Sequence, residues 1–172
     1  MYLLESFTPE DGALIVNEAT MYRAYLLAKN EVEANNLVVG LNQAALFLEL
    51  EQYRYSFETA GLDLADGIRI KTDRESQSQL SNCFVDLKHG LIPDTDWKGS
   101  DWQLVNLEQI EPIAKAVAAH RRGCFSSERQ VQTLINEAVS AAELEAIDIP
   151  ALFGAAYKVA YSQVMGAEQA AE

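Results

Sequence analysis

Cys83, His89, His120 and Cys124 are the residues of this chain whose side chains best suit metal ligation. His120 and Cys124 stand four apart, which on a helix puts both on one side and would let them pinch a zinc ion. Cys83 and His89 are six apart, a spacing that makes no compact second pair. A plainer reading fits the neighbours better. Ile113, Val117, His120 and Cys124 recur at steps of 4, 3 and 4, so the histidine and the cysteine continue an apolar stripe. A buried free cysteine behaves as a small hydrophobe. These residues are therefore expected to close a helical core, with no metal and no cofactor.

Other catalytic chemistries find less purchase. The sequence holds no G-x-S-x-G elbow, and neither G-x-G-x-x-G nor G-x-x-x-x-G-K-[ST] to cradle phosphates. Asp94, Asp96 and Asp101 flank Trp97 and Trp102, which gives a faint likeness to a sugar-binding platform with a carboxylate pair. The structural alternative is that the aspartates form turns while the indoles anchor a hairpin. His120-Arg121-Arg122 with Lys115 and Arg129 is the most basic neighbourhood, yet helical spacing spreads it around a solvated face.

A length of 172 residues and a 49% apolar share suit one domain, or one small domain with an N-terminal extension. The net charge of -13 is spread along the whole chain. Such a surface repels phosphate backbones and anionic lipid, so neither nucleic acid nor a membrane is an expected partner. No signal-peptide pattern and no spanning-length apolar run is present, so synthesis in a reducing cytoplasm is expected, with both cysteines as free thiols.

The elements that would position these residues read as follows. Thr8-Pro9-Glu10-Asp11 reads as a helix start or tight turn closed by Gly12, and Asn17 could cap a helix to about Asn35. Residues 37–60 carry both helical and alternating patterns, with helix favoured and Gly61 ending it. Gly61–Gly67 is a turn-rich hinge. Thr72 and Glu75 form a capping box for a helix to about His89, with Gly90 closing it. Trp97-Lys98 and Trp102–Val105 form a β-hairpin. Asn106 and Gln109 form a second box, although Pro112 suggests a regular helix from about Glu111 to Cys124. Ser127 and Gln130 would open another helix to about Leu144, and a last one covers roughly 150–165. The expected fold is mainly α (α+β): a small helical domain at 68–165 with a short tryptophan-containing hairpin, preceded by an N-terminal interaction region at 1–60 of uncertain helix or strand character and the hinge at 61–67. Residues 166–172 are expected to be a frayed tail.

Residues 67–139 carry a pattern. The run GIRIKTDRESQSQL, followed by DWKGSDWQLVNLEQIEPIAKAVAAHRRGCFSSE, resembles a small phage and prophage domain of unknown function found in tail-fibre proteins or encoded beside tail-fibre and fibre-assembly genes. The matching elements are Thr72-Asp73-Arg74 with Ser76-Gln77, the Trp97-Lys98 and Trp102 hairpin, and Ala116-Val117, His120 and Cys124-Phe125. The resemblance brings no catalytic residues with it. It implies a tailed-phage tail, and hence a virion protein made in the bacterial host cytoplasm. On the residues themselves, Thr72 and Glu75 cap a helix, Arg74 pairs with a nearby carboxylate, the indoles anchor the hairpin, and His120, Cys124 and Phe125 close the core.

The expected function is accordingly non-enzymatic: a structural adaptor at the tail fibre or baseplate, oligomeric in the particle, contacting other phage tail proteins. Candidate partner-binding residues are Tyr22, Tyr25, Phe47, Tyr53, Tyr55, Phe57, Trp97 and Trp102, because aromatics are enriched at interfaces. The alternatives are a tail-fibre assembly chaperone and a carbohydrate-binding module using the Trp97/Trp102 hairpin.

Overall fold

The first turn sets the N-terminal structure. Pro9 fixes its own φ, Asp11 N–H donates to the Thr8 carbonyl at 3.2 Å, and Gly12 takes φ +83°. In the computed structural model, which describes residues 1–17, 22–64, 67–98 and 102–166, this turn joins two strands. Strand β1 (Tyr2–Thr8) pairs antiparallel with β2 (Gly12–Asn17), and β2 pairs with β3 (Tyr22–Leu26), giving the order β1-β2-β3. A bulge at Glu5 shifts the β1 register between Leu4 and Ser6. A Cβ on Gly12 would stand 2.7 Å from the Leu26 carbonyl oxygen, so glycine is required for space as well as for φ.

The helix expected from Asn17 to about Asn35 is therefore overturned. Gly12–Asn17 is apolar and rich in β-branched side chains, and Ala13 and Ile15 are fully buried on one face of the sheet. Tyr25, which lies within that expected helix, points out of β3 and is 66% exposed. The real helix start is Asn30. Its side chain accepts from Glu33 N–H at 2.9 Å, and the Glu33 carboxylate accepts from Lys29 N–H at 2.7 Å. Helix α1 then runs Glu31–Thr59, which resolves the ambiguous 37–60 stretch as helix, and Gly61 follows it at φ +100°.

Downstream come β4 (Leu62–Asp63) and β5 (Arg69–Ile70), α2 (Arg74–Lys88), the hairpin β6 (Thr95–Lys98) and β7 (Trp102–Val105), α3 (Leu107–Glu137), α4 (Ala141–Glu145) and α5 (Ile149–Met165). The described residues are thus mainly helical with three small antiparallel sheets. The β4–β5 pair lies within the stretch expected to be a hinge and just beyond it. The Arg69 guanidinium holds it, donating to Asp63 at 2.6 and 2.7 Å and to the Ala60 carbonyl at 2.7 Å.

Two local expectations are corrected. The residue capping α2 is Asp73, not Thr72: its carboxylate accepts from Ser76 N–H at 2.9 Å and Ser76 Oγ at 2.7 Å. Those bonds hold the Asp73 carboxyl below its ordinary range. Glu75 does not reach back. Further on, α3 is one helix, with no late start at Glu111 and no break at Ser127. The Asn106/Gln109 box is real, with reciprocal bonds of 3.0 and 3.3 Å, and it starts the helix five residues before Pro112. Pro112 is exposed and removes one intrahelical bond without ending the helix. Ile110, Val117, Cys124 and Val131 are buried at every seventh position, a stripe that runs straight through the supposed break. Ser127 instead donates to the Gly123 carbonyl at 2.7 Å, inside the helix.

The chain forms two compact units, each drawn from two segments: Met1–Tyr53 with Glu128–Phe153, and Arg54–Ser127 with Gly154–Glu172. In the first, buried Asn42 exchanges hydrogen bonds with the Tyr2 backbone, its Nδ2 donating to the carbonyl at 2.8 Å. The Gln43 amide donates to the Ile135 and Ala138 carbonyls, satisfying acceptors that the end of α3 leaves open. Phe153 is fully buried and meets Tyr53 edge-on, with ring centroids 5.2 Å apart. In the second unit, Leu80, Leu87, Val105, Ile110 and Val117 form the core, with Trp97, Phe84 and Ile113 against it.

Candidate functional site

In the second unit the side chains of the 72–77 and 116–125 patterns meet around one residue that neither contains, Glu58. Arg54 and Glu58 are one helical turn apart on α1, and both are buried, at 7% and 0% exposure. Glu58 Oε2 accepts from Arg54 Nη1 at 2.8 Å and from Arg74 Nη2 at 3.2 Å. Oε1 accepts from Gln77 Nε2 at 3.3 Å. The same Gln77 amide donates to the Thr72 carbonyl at 2.6 Å, and the buried Thr72 hydroxyl accepts from Gly61 N–H at 2.9 Å. Thr72 therefore does its work at the end of α1 instead of the start of α2. Arg54 lies over the Phe125 ring at 4.9 Å, and Arg74 over Tyr55 at 6.0 Å.

His120 joins the same hub through the Glu58 backbone. Its Nε2 lies 3.0 Å from the Glu58 carbonyl and its Nδ1 2.8 Å from the Tyr157 hydroxyl. A carbonyl can only accept, so Nε2 carries the proton and Nδ1 accepts from tyrosine. This serves one of the open carbonyls in the last turn of α1. Burial drives the His120 pKa below its ordinary 6.5, against weaker opposing effects from the Glu58 carbonyl and carboxylate. Burial, with Cys124 and Tyr161 nearby, pushes the Tyr157 hydroxyl far above its usual range, so it stays a donor. Phe57 stacks on His120 at 5.9 Å and meets Tyr157 edge-on at 4.9 Å.

This geometry makes two predictions. The first concerns pH. A histidine kept neutral when folded titrates in the unfolded chain first, so its contribution to stability is whole above pH 6.5 and drains away between that value and its lower folded pKa. Chemical denaturation between pH 7.5 and 5 should show a loss approaching about 1.4 kcal/mol per pH unit at most from this group. His120→Gln should flatten that slope; an unchanged slope would remove His120 as its source. The second concerns Gly123, where a Cβ would stand 2.9 Å from Tyr157 Cδ2 and Cε2. Gly123→Ala should cost about 1–3 kcal/mol by overpacking. Tyr157→Leu in the same chain should recover part of the clash; a Gly123→Ala chain as stable as the parent would show that the ring has room to move.

The sequence candidates distribute as follows. His120 and Cys124 are buried in the apolar stripe, with Cys124 Sγ 3.9 Å from His120 Nε2. Cys83 is half-buried, its thiol pushed up by burial and then by Asp86. His89 is exposed at the C-cap of α2. Among the described residues, no three His, Cys, Asp or Glu side chains gather to hold a metal ion. Arg122 turns to α5, donating to the Ala160 carbonyl at 2.9 Å. Of the aromatics, Phe47, Tyr53, Phe57 and Trp97 are half-buried, while Tyr25, Tyr55 and Trp102 are exposed; the Tyr22 side chain lies outside the described residues. Asp94 and Asp96 are exposed, and Asp101 is not among the described residues.

The hairpin register separates the two indoles. Trp97 pairs with Gln103 and Lys98 with Trp102, so Thr95, Trp97 and Val105 face the core while Asp96, Lys98, Trp102 and Leu104 face out. A flat two-indole platform is not what forms. Glu58, Arg54 and Tyr157 are the residues that sequence reasoning passed over. The signal for the first two was two opposite charges four apart within the apolar run Leu50, Tyr53 and Phe57.

Fold and hub together define a mainly helical α+β protein whose recognisable side chains are bound to one another around a buried ion pair. Residues 42–151 match the family described as a domain of unknown function (DUF4376), and the chain belongs to that family. No curated protein and no solved structure matches it. The matched stretch takes in Arg54, Glu58, Thr72, Arg74, Gln77, His120 and Cys124, so the hub apart from Tyr157 falls within the family's span.

Proposed function

We propose that the chain is a non-catalytic structural component of a tailed-phage tail, an adaptor at the tail fibre or baseplate that contacts other tail proteins and is present there in several copies. The observation that carries this reading is the inward turn of the pattern's polar groups. Both nitrogens of His120 and both carboxylate oxygens of Glu58 are engaged within the protein, which is how groups that maintain a shape are held. The tail context rests on the resemblance of residues 67–139.

Large apolar side chains stand outside. Trp102 (67% exposed) and Leu104 (62% exposed) share the outer face of the hairpin, and Tyr25 and Leu27 are exposed at the end of β3 and just beyond. Aromatic residues so placed suit a protein interface. The charge of -13 also suits an assembly chaperone that must stay soluble while binding a fibre, and this is the second reading. No helix among the described residues is long and apolar enough to cross a membrane. Deleting the gene from a phage that carries it tests the proposal. Electron microscopy should show tails lacking fibres or baseplate parts, restored by the plasmid-borne chain. Complete, infective tails without it would refute both readings.

A further inference from the structure

A cleft of about 440 Å³ opens in the second unit between α2 and the β6–β7 hairpin. Its α2 wall is Gln79, Asn82, Cys83 and Asp86, one helical face, and its other wall is built from Thr95–Lys98 with Trp102 and Ile92. We propose that this cleft binds a neutral sugar unit of a glycan. The inference rests on the cleft alone and stands apart from the tail reading.

The lining argues for that class in three ways. It mixes apolar surface from Ile92, Trp97 and Trp102 with amide, hydroxyl and carboxylate groups, the combination that a sugar ring with apolar C–H faces and a hydroxyl rim requires. Second, the hydrogen-bonding groups have capacity to spare. The side chains of Asn82, Asp86, Thr95 and Asp96 make no hydrogen bond to any described residue, and carboxylates accept strongly from hydroxyls. Third, charge selects against the alternatives. Asp86 and Asp96 outweigh Lys98, so phosphates and acidic sugars are repelled. A cationic ligand would compete for Trp102 with Lys98, whose Nζ is already 5.5 Å from the ring centroid. The volume lies within the range of small-molecule sites and suits one or two rings.

The test is a titration of the whole chain with neutral oligosaccharides, maltotriose and chitotriose first and then a glycan array holding neutral and acidic members, read by tryptophan fluorescence and calorimetry. Trp102→Ala and Asp96→Asn alter exposed side chains, and circular dichroism checks that both still fold. Saturable binding of a neutral glycan, weakened about tenfold or more in each variant, is the expected result. Three results would overturn the proposal: no binding by any neutral glycan, binding that both variants retain in full, or binding confined to acidic glycans.

Discussion

Glu58→Ala should destabilise the protein by about 3–5 kcal/mol in urea denaturation, the cost of taking one partner from a buried ion pair. The carboxylate is fully buried and balances Arg54, which is itself almost wholly buried, while also receiving Arg74 and Gln77. Removing it takes the counter-charge from a guanidinium that water hardly reaches. The pair as a whole is a different matter, because desolvating two charges offsets much of their attraction. Arg54→Met with Glu58→Leu should therefore recover most of the loss, and ends within a few kcal/mol of the parent on either side. Arg74→Ala should cost far less, because that guanidinium is half exposed at 3.2 Å from the carboxylate and is screened by solvent. A Glu58→Ala chain within about 1 kcal/mol of the parent would contradict a buried, ionised pair. A double variant no better than the single would show that the charges do more than balance each other.

Phe153→Ala should be comparably costly in the first unit, at about 3–5 kcal/mol, because a fully buried aromatic leaves a cavity that its neighbours fill only in part. Phe153 is the largest fully buried side chain among the described residues and has Tyr53 edge-on against it, a contact that Phe153→Leu would also lose while keeping most of the volume. Leucine should accordingly cost less than alanine. Hydrogen exchange would locate the effect: faster exchange is expected in β2 and the middle of α1, where Ile15 and Leu50 are equally deep. A loss below about 1 kcal/mol with unchanged exchange would mean that the ring is not sealed in as the structure has it.

Much of the fold was legible in the sequence. The hairpin around Trp97 and Trp102, the Asn106/Gln109 box, the C-terminal end of α2 and the extent of α5 follow from local signals that tertiary structure leaves in place. What was lost followed from reading one signal without its competitor. Tyr25 and Ala28 are spaced like a helix face, but Thr8–Gly12 is a hairpin turn and Ala13–Val16 a strand, so β3 had a partner waiting. Ser127 looks like a cap, yet the stripe from Ile110 to Val131 buries the helix on either side of it, and burial outweighs a capping preference. The hub was half visible. Arg74 was expected to meet a carboxylate and His120 to be buried, but their common neighbour Glu58 lies on another helix, and spacing along one element says nothing about which elements meet.

The interface reading of the aromatics divides along the same line. Tyr53 and Phe57 pack against Phe153 and His120, each within its own unit, whereas Tyr25, Tyr55 and Trp102 stand in solvent. Among the described candidates, the second group is the one with exposed ring surface.

The proposed role as a structural part of a tail is tested by quantitative mass spectrometry of purified phage particles, with copy number measured against a known tail protein. A tail component should be detected at a stoichiometry matching the symmetry of the tail. Absence from mature particles, with the protein abundant in the lysate, would contradict it and leave a transient chaperone or another cytoplasmic role in its place.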